Sequence, residues 1–254
     1  MQEILDRWGG LLRATGGALV PKKSYWYAID FKWTGSAWKY RTISDMPGNI
    51  LITGINGERV VLTRLNPDVA QETLGVMQAM DGNNKAEILH LRGKAEEFAD
   101  AIRTGFLKKN DAWYALNSTI LKTMEYPMAV TTIKEQEWNH IMVPILKASL
   151  PRSGIERNFP RDVLYGPKRM QGFGILHPWY HQEIVHLLVC LKQTTIGGIT
   201  GRQISASTEQ MRLEAGLPGW FSDHDFDTWE ANLIDSWIKT VWQFAYRFKL
   251  AIHD

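Results

Sequence analysis

The sequence predicts an α+β protein in which a small N-terminal antiparallel β region with one helix precedes a helical bundle and further C-terminal helices. Three observations carry this prediction. Tyr25, Tyr27, Ile29, Phe31 and Trp33 alternate at period two with Trp26, Ala28, Asp30 and Lys32. The period becomes helical after the turn-forming Asp81-Gly-Asn-Asn84, and it stays helical over most of the remaining chain. The boundaries expected are a first region at 1–83, a three-helix bundle at 84–150, a basic Gly/Pro loop at 151–175 and a helical extension at 176–254.

Ile4, Leu5, Trp8, Leu11 and Leu12 recur at helical spacing, so the chain opens with an amphipathic helix that Thr15-Gly16-Gly17 terminates. Tyr25, Tyr27, Ile29, Phe31 and Trp33 share one face of a predicted strand, and Thr34-Gly35-Ser36 turns it into a second strand from Trp38 to Ile43. Asn56-Gly57 between the apolar runs 50–53 and 60–63 signals another hairpin. A short last strand is expected over Thr73-Leu-Gly-Val76.

Ile88, Leu91, Ala95, Phe98, Ile102 and Phe106 form the apolar stripe of the first bundle helix. Trp113, Leu116, Ile120 and Met124 form a second, with Asn110 as its expected cap. Thr132 with Glu135 reads as a capping box for a third helix carrying Trp138, Ile141, Ile145 and Leu146, with a kink expected at Pro144. The C-terminal helices are expected near 178–194, 207–216 and 228–252. The stripe Trp229, Leu233, Trp237, Val241, Phe244 and Phe248 in the last faces a core.

The 254 residues carry 29 basic and 27 acidic side chains, a net charge of +2 that alone does not mark a nucleic-acid binder. The distribution is more informative. Residues 1–83 hold nine basic against eight acidic side chains, residues 84–175 fourteen against ten, and residues 176–254 six against nine. The basic middle contains Arg152, Arg157, Arg161, Lys168 and Arg169 within the loop from Leu150 to Ile175. Pro160 and Pro167 keep that loop from becoming a long regular element, and arginine suits phosphate. The single cysteine, Cys190, rules out an internal disulfide and fits a reducing compartment. The first residues lack the apolar core of a secretory signal, and no run is long enough to cross a bilayer. The expectation is an intracellular protein, in nucleus or cytoplasm, without a membrane partner.

A series of short pieces resembles a known family. The helix followed by Thr15-Gly-Gly-Ala-Leu-Val-Pro-Lys-Lys-Ser24 and an aromatic strand comes first. Then come Thr73-Leu-Gly-Val76, Trp113-Tyr114-Ala115, Tyr126-Pro127, Tyr165-Gly166-Pro167-Lys168 and Gly172-Phe173-Gly174. In this order they look like the region after the catalytic motif of retrotransposon-type reverse transcriptases, and they cover residues 1–175. The resemblance implies that Lys23, with Lys22 beside it, lies near an incoming nucleotide. It implies that Leu74 and Gly75 grip a primer end, and that the helices from 85 to 150 act as a thumb holding a template–primer duplex by its phosphates. The partner implied is an RNA–DNA or other template–primer duplex, together with a separate N-terminal polymerase region. Such enzymes hold Mg2+ with a Tyr-x-Asp-Asp motif, and this sequence contains no Asp-Asp pair. No cofactor and no polymerase activity are therefore expected of this chain alone.

Other constellations are weaker. His177 and His181 sit four residues apart with no motif supplying further metal ligands. Asp223, Asp225 and Asp227 have the first spacings of a calcium loop, but Thr228 and Ile234 stand where glycine and glutamate are needed, so they read as caps for the last helix. A carboxylate nuclease at these aspartates is a distant alternative. The other reading from a different class is a non-catalytic interaction module with a Trp-rich helical interface, suggested by eleven tryptophans.

Overall fold

A computed structural model describes residues 1–250 and divides the chain into two compact units, residues 1–87 and Ile88 onward. The fold class is α+β. The first unit holds one helix and eight short strands, and the second unit is helical. The segments expected at 84–150, 151–175 and 176–254 fall together in the second unit, apart from the first residues of its leading helix.

In the first unit, α1 (Gln2–Ala14) docks on β4 (Leu51–Thr53) through one amide side chain. Gln2 Nε2 donates to the Leu51 carbonyl at 2.7 Å, and Gln2 Oε1 accepts from the Leu51 N–H at 2.9 Å. Leu5 and Leu19 then pack with Trp26 against Ile50, Ile52 and Leu62. The strands pair as four separate ribbons. Three are antiparallel: β2 (Phe31–Trp33) with β3 (Trp38–Tyr40), β4 with β5 (Arg59–Val61), and β7 (Gln71–Thr73) with β8 (Val76–Gln78). The fourth, β1 (Tyr25–Tyr27) with β6 (Thr63–Leu65), is parallel.

Two strand expectations are corrected here. The single strand over residues 25–33 is broken at 28–30, because β1 and β2 find different partners and the ladder cannot continue through the change. Arg41 holds the break, its backbone N–H donating to the Asp30 carbonyl at 2.8 Å and its guanidinium pairing with the Asp30 carboxylate at 2.9 Å. The strand expected at residues 73–76 is instead the turn of the β7–β8 hairpin. Leu74 and Gly75 take φ of 52° and 83°, as a two-residue primed turn requires.

In the second unit, α2 (Lys85–Thr104), the pair α3 (Lys109–Ala115) and α4 (Leu121–Glu125), and α5 (Glu135–Arg152) surround one core. Leu91, Ala95, Leu116, Met124, Trp138 and Ile145 are among its buried residues. A π turn, Leu116–Ile120, joins α3 to α4. Asn117 and Ser118 donate to the carbonyls of Trp113 and Tyr114 at this turn. α5 runs through Pro144 and Pro151 as one helix. Its N-cap is Lys134, whose N–H is accepted by Glu137 at 3.2 Å, so the box expected at Thr132 is shifted; α3 is likewise capped at Lys108, not Asn110.

After a short α6 (Arg161–Tyr165), α7 (Pro178–Ile196) completes this core with Trp179 and enters a second core through Cys190. α8 (Ile199–Ala215) starts eight residues earlier than expected, running through Thr208, whose hydroxyl donates to the Ile204 carbonyl at 2.9 Å. The long helix expected over 228–252 is broken. α9 (Phe226–Trp229) and a 3-10 turn lead through Leu233 to α10 (Trp237–Arg247), which Ser236 caps; residues 251 and 252 lie outside the described residues. Of the expected stripe, Leu233 and Val241 lie in the second core and Phe244 in the first, Trp229 and Trp237 are half-buried, and Phe248 is exposed; Trp242, outside that stripe, is buried in the second core. No single helix is long and apolar enough to cross a membrane among the described residues, and the consecutive helices α7 and α8 meet at a bend of 112°.

Three polar side chains of α7 are buried. Gln182 Oε1 accepts from the Trp138 indole at 3.0 Å and the Ile133 N–H at 3.2 Å, while its Nε2 donates to the Ile133 carbonyl at 3.0 Å. His186 contacts the Met128 carbonyl at 2.7 Å, and burial pushes its imidazole down to about 4. Burial pushes the neighbouring Glu183 carboxyl up to about 7. Their closest approach, 3.8 Å, is thus between neutral groups over the pH range between those values.

Gln182→Ala leaves the Trp138 and Ile133 groups unpaired inside the core, which is expected to cost about 3 kcal/mol in urea denaturation. Glu183 and His186 oppose each other as pH changes. The raised Glu183 pKa gives stability that is lost as pH rises from about 4.5 through about 7; the depressed His186 pKa gives stability lost as pH falls from about 6.5 through about 4. Glu183→Gln removes the first limb alone. Its stability advantage over the wild type should grow from pH 4.5 to 7 and then level, as read by urea midpoints across that range.

Candidate nucleic-acid interface

The candidate interface is a groove on the exposed faces of α2 and α5. Arg92, Glu96 and Arg103 recur at spacings that return to one side of α2, and His140, Val143, Pro144 and Lys147 do the same on α5. With Arg157 from the following loop they line a groove of about 500 Å³. Four of the eight lining residues are Lys or Arg, against one carboxylate. Arg92 pairs with Glu96 at 3.3 Å and Arg103 with Asp100 at 3.1 Å, both exposed contacts of little strength. Lys147 and Arg157 pair with no carboxylate among the described residues. A strip of this kind attracts anions and fits the phosphates of a nucleic-acid backbone.

A second cavity of about 600 Å³ shares Val143 and Lys147 with the groove and extends towards α6 and α7. His177, buried at the start of α7, lies between Tyr165 and Tyr180 with ring centroids 4.6 Å and 4.8 Å away. Burial lowers its pKa, and its Nε2 lies 3.2 Å from Asn139 Oδ1. Glu135, on the rim, is held by Arg247 at 2.9 Å.

The basic loop is a folded staple, not an open strand. Gly174 N–H donates to the Gly166 carbonyl at 2.8 Å, Phe173 N–H to Val163 at 3.0 Å and Ile175 N–H to Leu164 at 3.2 Å. Phe173 packs on Trp113 and Phe159. The glycines do allow a close backbone approach, but the approaching group is the loop itself: a Cβ on Gly172 would stand 2.1 Å from the Gly166 carbonyl oxygen.

The loop cations therefore have different fates. Arg152 is half-buried and donates to the Gly105 carbonyl beyond α2, a structural contact. Arg157 enters the groove, and Arg161 lines the second cavity. The stem of Lys168 lies over Gly174, and Arg169 is exposed. In the first unit, Lys22 and Lys23 are exposed in a 3-10 turn, and Leu74 and Gly75 form a hairpin tip with Leu74 85% exposed. Tyr25, two residues after Lys23, donates to the Glu72 carbonyl at 2.9 Å and meets the Thr73 hydroxyl at 3.1 Å, which ties these two segments together.

Arg92, Arg103, His140 and Lys147 were not among the residues expected from sequence. Their signal was present as basic residues at helical spacing opposite the buried stripes. His177 and His181 do not converge, since His181 lies 3.8 Å from Glu125 instead. Asp225 accepts from Thr228 and Tyr246, tying α9 to α10. Among the described residues no group of three His, Cys, Asp or Glu side chains could hold a metal ion. Comparison with family models, with curated proteins and with solved structures returned no match.

Gly172→Ala forces the loop apart and is expected to destabilise the second unit by about 1–3 kcal/mol, with faster proteolysis within residues 157–176. Gly93→Ala, in the open middle of α2 with nothing within 4 Å, is the control; it should stabilise by up to about 1 kcal/mol.

Proposed function

We propose that this chain is a nucleic-acid-binding portion of a retroelement-type reverse transcriptase, gripping a template–primer duplex through its phosphates without the catalytic aspartates. The observation that carries the reading is the cationic groove between α2 and α5, in the segment that the resemblance places in a thumb. Its cations sit on helices fixed by a shared core, so they present charge at set spacing, as sequence-independent backbone contacts require. Lys22, Lys23, Leu74 and Gly75 belong to the same reading as nucleotide-proximal and primer-end residues. Polymerisation would then need a separate region supplying the paired aspartates and Mg2+.

A second reading is supported by a different observation. Trp242 of the last helix is buried, whereas Trp8, Trp33 and Trp38 of the first unit are more than half exposed. An interaction module would thus use α1 and the β2–β3 hairpin, not the C-terminal helix, with a stable oligomer in light scattering as its sign.

The test is binding of the whole chain to an RNA–DNA duplex over a salt series. Log affinity should fall linearly with log salt, and combined Arg92→Ala, Arg103→Ala and Lys147→Ala should make the slope shallower by ~0.9 for each phosphate no longer neutralised. Binding that is absent at low salt, or indifferent to salt, overturns the reading.

A further inference from the structure

The cavity beyond the groove has a different chemistry from the groove itself. Its floor is apolar and aromatic, formed by Met142, Leu146, Tyr165, His177 and Tyr180. Met142 and Leu146 of this wall are buried in the first core. His177 Nε2 lies 3.2 Å from Asn139 Oδ1, and the Asn139 amide N–H2 remains on the cavity wall as a donor. Two cations and two carboxylates line the cavity: Lys147 pairs with no carboxylate, Arg161 has only a 3.4 Å contact to the Arg157 carbonyl, Glu135 is paired with Arg247, and Asp162 stands beside Arg161. The volume of about 600 Å³ lies within the range of small-molecule sites.

Aromatic rings beside an amide and solvent-facing cations match the three parts of a nucleotide: a flat base, a hydrogen-bonding base edge and a phosphate. We propose that this cavity binds one unpaired nucleotide, its base against Tyr165 and Tyr180, its edge accepting from Asn139, and its phosphate on Lys147 and Arg161. The inference rests on the reading of the α2–α5 groove as a phosphate track, because Val143 and Lys147 belong to both and make the cavity a side pocket of that track. A duplex along the groove would then place an extruded or terminal base here.

The test uses 2-aminopurine ribonucleoside 5′-monophosphate, the free 2-aminopurine nucleoside and a fully paired RNA–DNA duplex as separate probes of the whole chain. The monophosphate should bind with quenched fluorescence, as stacking on aromatic rings produces. Tyr165→Ala should weaken it about tenfold. Because Tyr165 also packs on His177, the exposed Arg161→Ala serves as the second variant; it should weaken the monophosphate several-fold and leave the free nucleoside unchanged. Neither variant should alter duplex affinity as Arg92→Ala with Arg103→Ala does. Absence of monophosphate binding, or binding insensitive to both variants, overturns the proposal. Duplex binding without monophosphate binding overturns the pocket and leaves the groove; monophosphate binding without duplex binding supports the pocket and overturns the groove.

Discussion

The second unit depends on a polar side chain that must be satisfied where water cannot reach. Gln182 is fully buried on α7, and its amide answers the indole of Trp138 and both backbone groups of Ile133. Each of these would otherwise sit unpaired in an apolar interior, at a cost comparable to a large fraction of a domain's net stability. The bonds are directional, so they fix the height and rotation of α7 against the start of α5 as apolar contacts alone would not. From there α7 carries that register into the second core at Cys190, and α10 returns it through Phe244.

The cationic groove is a consequence of this arrangement. α5 turns Trp138, Ile141 and Ile145 inward, which leaves His140, Val143 and Lys147 no choice but the outer face. α2 is held the same way by Leu91, Ala95, Ala99 and Ile102, and its Arg92 and Arg103 project beside them. The charges are thereby positioned by packing they take no part in. Arg152 shows the contrast: it lies in the same basic stretch, yet its guanidinium serves a carbonyl beyond the end of α2 and contributes little to the outward field.

The first unit is organised differently. Its hydrophobic core is small, Ile50, Ile52 and Leu62 with Leu5, Leu19 and Trp26 around it, and much of its shape comes from hairpin turns and side-chain bonds to the backbone. Gln2 ties α1 to β4, and Tyr25 ties β1 to β7. With so little interior to fill, α1 shows Ile4, Trp8 and Leu11 to its surroundings and the β2–β3 hairpin shows Trp33 and Trp38.

The sequence by itself determined the fold class, the change from strand to helix near residue 84, the stripe of α2 as far as Ile102, those of the α3–α4 pair and α5, and the burial of Val241 and Phe244 in the last helix, because these follow from side-chain period and local turn chemistry; Phe106, expected in the first stripe, lies beyond α2 and is exposed. It located the Asn56-Gly57 hairpin for the same reason. It misplaced the strand at residues 73–76, since Leu74 adopts a positive φ that its side chain gives no warning of, and it joined β1 to β2, because alternation continues across a break that only the choice of ladder partner creates. The basic loop was legible as basic but not as folded: Gly172 and Gly174 signalled a close approach, and only the tertiary structure decided that the approaching backbone is Gly166. For the groove, charge could be counted along the chain but not across it. Arg92, Arg103, Lys147 and Arg157 are separated by many residues and come together because two helices share one core, which is a relation between distant segments that local periodicity does not encode.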